Sequence, residues 1–184
     1  MSFAEFGEIF HRLLEEIKHT LETEHQDIAA VAPILRSGGI TGLMLAVHFG
    51  IKTVLPIQYK YHSPNEKPSL IFSAFDHMPV SSLHKNSVIL ICETNTVTGN
   101  TLKEVLPMLR QHFPKQNFWY ATLAKSISLP AKHAGIEHYF FGIETEEGIS
   151  EKLPMHHKNV WKGVALFPWE NKQEEIKEIV EKEE

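Results

Sequence analysis

Apolar residues follow two rhythms along this chain. Phe3, Phe6, Phe10, Leu13, Ile17 and Leu21 recur every three or four positions, with Glu, Arg and Lys between them. That spacing predicts an amphipathic helix with one face on a core. The run from Asp27 to Leu35 is continuously apolar with a proline near its end, and reads as a buried strand. Arg36-Ser37-Gly38-Gly39 is a turn, and Ile40 to Phe49 is apolar all round, a buried helix stopping at Gly50. Thr53 to Tyr61 reads as a second strand, His62 to Pro68 as a polar loop with two prolines, and Ser69 to Phe75 as a third strand. Val88 to Cys92 is the fourth strand, and Leu102, Val105, Leu106 and Leu109 mark a helix soon after it. Asn117 to Ala124 and His138 to Ile143 complete the set.

Strands alternating with helical patterns predict an α/β fold, a mostly parallel twisted sheet flanked by helices on both faces. Residues 1–170 are expected to form one domain. Residues 171–184 are expected to form a charged helical tail whose apolar side is Ile176, Ile179 and Val180. In such sheets ligands gather outside the carboxyl ends of the strands. The loops after Leu35 and after Cys92 both lie at such ends.

Composition narrows the function. The 184 residues are 42% apolar and 22% charged, ordinary for a folded protein. A formal charge of −5 gives a nucleic-acid partner no support, so an anionic ligand must rely on local cations and backbone donors. No segment approaches the roughly 18 uninterrupted apolar residues of a membrane span. The beginning Met1-Ser2-Phe3-Ala4-Glu5 leads into an acidic amphipathic pattern and predicts no signal peptide. The single cysteine, Cys92, fits a reducing cytoplasm and reads as a buried strand residue. Twelve histidines are scattered, and the adjacent pair His156-His157 points apart, so no zinc site is expected.

The segment Val88-Ile89-Leu90-Ile91-Cys92-Glu93-Thr94-Asn95-Thr96-Val97-Thr98-Gly99-Asn100-Thr101-Leu102 carries the most chemistry. An apolar strand delivers a small, hydroxyl-rich loop onto a helix N-terminus. Unpaired N–H groups and the helix dipole there favour a phosphate. Thr98 and Thr101 add hydroxyl donors without bulk, and Gly99 lets the backbone come close. A tight, well-capped connection would share the same outline.

The segment resembles the phosphoribosyl-pyrophosphate (PRPP) signature of the type I phosphoribosyltransferases: an apolar strand, two adjacent acids, a spacer, then Thr-Gly and a second Thr or Ser. Glu93, Thr98, Gly99 and Thr101 match it, while Thr94 stands where the second acid is expected. The resemblance covers roughly residues 5–170. It implies phosphate-binding roles for Thr94, Thr96, Val97, Thr98, Gly99, Asn100 and Thr101, and a catalytic role for Glu93. Pro33-Ile34-Leu35-Arg36-Ser37-Gly38-Gly39-Ile40 is similar to the family's pyrophosphate loop, which gives that role to Arg36, Ser37, Gly38 and Gly39. Lys125, just past the fifth strand, falls where the purine-specific branch contacts the exocyclic oxygen of a 6-oxopurine. Val160-Trp161-Lys162-Gly163-Val164-Ala165-Leu166-Phe167-Pro168-Trp169-Glu170 resembles the ending of bacterial and archaeal purine enzymes, including the xanthine–guanine type. Trp161 is then the residue that stacks on the base, and Phe167, Pro168 and Trp169 are packing.

The resemblance further implies a small C-terminal hood, a homodimer, and Mg²⁺ arriving with PRPP, held by ribose and pyrophosphate oxygens and water. The family transfers ribose 5-phosphate from PRPP to a nucleobase. Its purine members use a further aspartate three residues past the acidic pair, where this chain has Val97. Losing one positioned charge or base costs roughly 10²- to 10⁴-fold in rate, whereas the phosphate cradle survives. Two functions lead: a transferase acting on a 6-oxopurine, and a catalytically impaired relative that binds PRPP or a nucleotide as a sensor or partner protein. A fold relative acting on another substrate such as a phosphorylated sugar, and use of a pyrimidine, also stay open.

Overall fold

A strand covered by helices on both faces needs apolar residues without alternation, and the central strands have them. The computed structural model describes residues 1–60, 69–75, 83–84, 86–126, 134–145, 160–161, 164–171 and 173–174, with backbone alone at Lys60, Val160 and Trp161. In chain order the elements are α1 (Phe3–Glu24), β1 (Ile28–Leu35), α2 (Gly38–His48), β2 (Ile57–Lys60), β3 (Ser69–Ser73), β4 (Val88–Thr96), α3 (Asn100–His112), β5 (Asn117–Ser126) and β6 (His138–Thr145). A short hairpin, β7 (Val160–Trp161) and β8 (Val164–Ala165), follows as the hood. The main sheet has the order β3-β2-β1-β4-β5-β6, parallel except for the β2–β3 pair.

The expected architecture is therefore present, with differences at element ends. β4 runs on through Glu93 to Thr96, because its polar residues keep pairing with β5 as far as Thr96 opposite Lys125. α2 begins at Gly38 rather than after the glycines. The second strand is confined to Ile57–Lys60, with one isolated bridge from Val54 to Val31. The 62–68 loop and the tail from 175 onward lie outside the described residues.

Two cores result. On one face α1 and α2 cover the sheet, through Ile9, Leu13, Ile17, Leu45 and Trp119 among others. On the other face Leu102, Val105, Leu106 and Leu109 of α3 meet Ala30, Ala32, Ile89 and Ile91. A Ser2–Glu5 capping box starts α1. Its three fully buried residues Ile9, Leu13 and Ile17 contribute about 1.5–3 kcal/mol each, against about 1 kcal/mol for the cap, so packing dominates. A paired hydrogen bond ties the hood to β4. The Asn95 side-chain amide donates to the Ala165 carbonyl and accepts from the Ala165 N–H, both at 2.9 Å.

Two glycines on either side of the α1 packing surface give opposite expectations. An added Cβ at Gly142 would lie 2.3 Å from Ile9 Cγ2 and 2.9 Å from the Leu123 carbonyl, whereas one at Gly7 meets nothing within 4 Å. Gly142→Ala is expected to destabilise the protein by about 1–3 kcal/mol in urea unfolding. Gly7→Ala is expected to stabilise it by about 0.5–1 kcal/mol through helix propensity.

Candidate functional site

The sheet changes direction between β1 and β4. From β1 the chain moves to β2 on one side, and from β4 to β5 on the other, so the crevice beyond their carboxyl ends is a topological switch point. There lies a cleft of about 470 Å³ lined by Leu35, Arg36, Ser37 and Ile40 of the β1–α2 connection, Glu93 of β4 and Thr101 of α3. Trp169, Glu170, Asn171 and Glu174 close it from the C-terminal side.

The β1–α2 connection is held tightly against β4. A Cβ on Gly38 would sit 2.6 Å from the Cys92 carbonyl and 3.0 Å from Glu93 Cα, so only glycine fits there. The Leu35–Arg36 peptide is cis, and Arg36 itself is exposed. Two amides of this loop are used internally, Gly39 N–H to the Arg36 carbonyl at 3.0 Å and Ile40 N–H to the Ser37 carbonyl at 3.2 Å. The loop thus offers fewer free N–H groups than its small residues suggest.

Glu93 is the acid at the cleft wall. Its Oε2 accepts from the Tyr120 hydroxyl and, at 3.1 Å, from the Thr96 hydroxyl, and Thr96 also meets Tyr120. Burial raises the Glu93 pKa above the ordinary carboxylate value, and the two hydroxyl donors pull it part of the way back. Burial together with the Glu93 charge pushes the Tyr120 phenol well above its usual range, so it stays a donor. Tyr120 carries no local sequence signal. It meets Glu93 only because β4 and β5 are neighbours, with Ile91 opposite Tyr120.

Thr94 does not join Glu93. Its hydroxyl is fully buried 3.5 Å from that of Thr41 in α2, and its carbonyl accepts from Thr122. Its side chain therefore serves the core, where a phosphate-facing hydroxyl is expected from the sequence. Past β4, Val97 is half-buried, Thr98 and Asn100 are exposed, and Gly99 is buried with φ 68°, the left-handed turn that opens α3. The Asn100 N–H donates to the Thr98 hydroxyl at 3.4 Å, and Lys103 Nζ lies 3.1 Å from Asn100 Oδ1. Lys103, one turn into α3, puts a cation beside this loop that the sequence reading did not single out.

Lys125 ends up on the same edge of the sheet but is engaged. It pairs with Glu144 at 3.0 Å and lies 4.3 Å over the Phe141 ring. The Trp161 side chain lies outside the described residues. Trp169, read as packing, does stack on Phe167 with 5.2 Å between ring centroids and meets Phe6 edge-on, and it also forms cleft wall. Among the described residues no group of three or more His, Cys, Asp or Glu is placed to hold a metal ion, and no helix is long and apolar enough to cross a membrane.

No family model and no curated protein matches the sequence. Solved structures do match the fold. The purine phosphoribosyltransferase of Pyrococcus horikoshii is 20% identical, with a TM-score of 0.57 over 89% of this chain and 90% of that one. The xanthine-guanine-hypoxanthine phosphoribosyltransferase of Helicobacter pylori is 17% identical, with a TM-score of 0.61 over 96% of each chain. A hypothetical protein from Neisseria gonorrhoeae with bound ppGpp is 20% identical, with a TM-score of 0.65 over 80% of this chain and 82% of that one. The chain has the type I phosphoribosyltransferase fold.

Two substitutions separate the acid in the cleft from the threonine in the core. Because the folded pKa of Glu93 is raised, its charge costs stability above the unfolded carboxylate value and nothing below it. Glu93→Gln is expected to raise Tm at pH 7 by about 2–4 °C. The gain should vanish below a pH of about 4, as followed by calorimetry. Thr94→Asp would bury a charge against Thr41 and is expected to cost about 3 kcal/mol or more at pH 7. That cost should shrink as the carboxyl protonates at low pH.

Proposed function

We propose that the chain binds PRPP in this cleft and transfers its ribose 5-phosphate to a nucleobase, with a 6-oxopurine as the preferred acceptor. One observation carries this reading: Arg36, Ser37, Glu93 and Thr101 come from three separate elements and meet in one cleft at the switch point. Fold likeness to purine phosphoribosyltransferases supports the same assignment.

In this reading the 5-phosphate sits at the start of α3. Thr98 and Thr101 donate hydroxyls, the helix terminus supplies its dipole, and Lys103 adds charge. Arg36 faces the pyrophosphate as a planar donor. Glu93 accepts from the ribose hydroxyls and stabilises the positive charge that builds on the ring as its C1 bond to pyrophosphate breaks. The purine imidazole nitrogen forms the new bond to C1 and loses its proton. Val97 has no group to take that proton, so it passes to solvent. The base lies toward the hood, with Trp161 stacking on its ring and Lys125 reaching its exocyclic oxygen after release from Glu144.

The cleft lining carries three carboxylates, Glu93, Glu170 and Glu174, beside the Arg36 guanidinium. An anionic ligand is best received there together with a cation. In this proposal Mg²⁺ arrives with PRPP and is held chiefly by its oxygens and water. When bound it neutralises charge on the departing pyrophosphate. The working unit in this proposal is a homodimer in the cytoplasm.

A second reading, a non-catalytic sensor of PRPP or a nucleotide, is favoured by Thr94 and Val97 at positions where acids are expected. The likeness to a protein with bound ppGpp favours it as well. Both readings share the phosphate cradle and differ in turnover. Incubation with PRPP, Mg²⁺ and guanine, hypoxanthine, xanthine, adenine, uracil or orotate is expected to yield nucleotide from a 6-oxopurine. Calorimetric binding of PRPP or GMP without nucleotide formation would decide for the sensor. Absence of both binding and turnover would overturn the assignment.

A further inference from the structure

The hydrogen bonds around Glu93 are lopsided. Tyr120 and Thr96 both donate to Oε2, and no donor among the described residues bonds Oε1. Tyr120 is almost fully buried and its ring packs on Tyr139 with centroids 5.7 Å apart, so its hydroxyl has little freedom to move. Glu93 at the same time lines the cleft. A carboxylate held through one oxygen, on a residue that lines the cleft, is an acceptor aimed in a fixed direction.

We propose that Tyr120 is a positioning residue that, with Thr96, fastens Oε2 of Glu93 and presents Oε1 to the hydroxyls of a ribose 5-phosphate ligand. The inference rests on the phosphoribosyl reading of the cleft and adds how a single acid serves there. Thr94 is turned into the core against Thr41, and a cross-strand tyrosine holds Glu93. The bonds from the two hydroxyls also oppose the rise in the Glu93 pKa that burial causes.

Other charged or titratable groups face Glu93 across the cleft: Arg36 from the β1–α2 connection, Tyr59 from β2, and Glu170 and Glu174 from the C-terminal segment. All of them remain in a Tyr120→Phe variant, which removes one hydroxyl and keeps the ring. A change in that variant therefore reports the hydroxyl. Thr96→Val is the second variant, removing the other donor at nearly constant volume.

The test has a ligand-free arm and a ligand arm. In the ligand-free arm the Glu93 carboxyl is titrated by carbon NMR in wild-type protein and both variants, with circular dichroism confirming the fold. The midpoint is expected to move upward in Tyr120→Phe and, to a smaller extent, in Thr96→Val. In the ligand arm, affinities for ribose 5-phosphate and 2-deoxyribose 5-phosphate are measured between pH 5 and 8. Tyr120→Phe is expected to weaken ribose 5-phosphate about 10-fold, the effect of one hydrogen bond to a charged group. The loss should deepen as pH falls, and the preference over the 2-deoxy sugar should shrink. Unchanged Glu93 titration with unchanged affinity would overturn the positioning role while leaving the phosphoribosyl reading intact. A shifted titration in a protein whose wild-type form binds neither sugar phosphate would overturn the ligand reading and the presentation of Oε1 to it.

Discussion

The cleft exists because two parallel neighbours, β1 and β4, send their chains away in opposite directions. Each strand ends in a connection to a helix, and those helices lie on opposite faces of the sheet. The two connections are thereby left side by side. The constraint that makes this a site and not a mere gap is the contact of Gly38 with the backbone at Cys92 and Glu93. No larger residue lets the start of α2 come that close, and without that closeness Arg36 and Glu93 would not share a wall.

The second organising fact is how one carboxylate is treated. Glu93 lies beneath the cleft surface, where its charge is disfavoured, and the protein meets that cost with hydroxyl donors rather than with a buried cation. Neutral donors support the charge without cancelling it. A lysine or arginine in their place would have formed a closed ion pair and left less negative potential for a ligand to feel. Lys125 shows the contrast: its charge is already paired with Glu144 and lies over the Phe141 ring.

Most of the fold was legible in the residues. The periodicity of Phe6, Phe10, Leu13 and Ile17 and the unbroken run to Leu35 found α1 and β1 within a few residues, because burial on one face or two leaves a direct mark on composition. The end of β4 was harder to read. Thr94, Asn95 and Thr96 look like turn residues, yet each has a partner inside the fold: Thr41, Ala165 and the Glu93–Tyr120 pair. Of the expected site, Arg36, Ser37, Glu93 and Thr101 line one cleft, and Thr94 does not. Tyr120 was invisible because its role comes from register across strands 27 residues apart, which no local pattern records. The same holds for Glu144, which reaches Lys125 through β5–β6 pairing. The walls contributed by Glu170 and Asn171 depend on how residues 166–171 lie against the sheet, and a motif match to Phe-Pro-Trp-Glu carries no information on which of its sides faces a ligand.

The amide of Asn95 has a consequence of its own. Both of its polar atoms are matched to the backbone of Ala165, a geometry in which neither end can slide past the other without two bonds breaking together. A shift of that outer hairpin relative to the sheet must therefore either carry the end of β4 with it or give up both bonds at once.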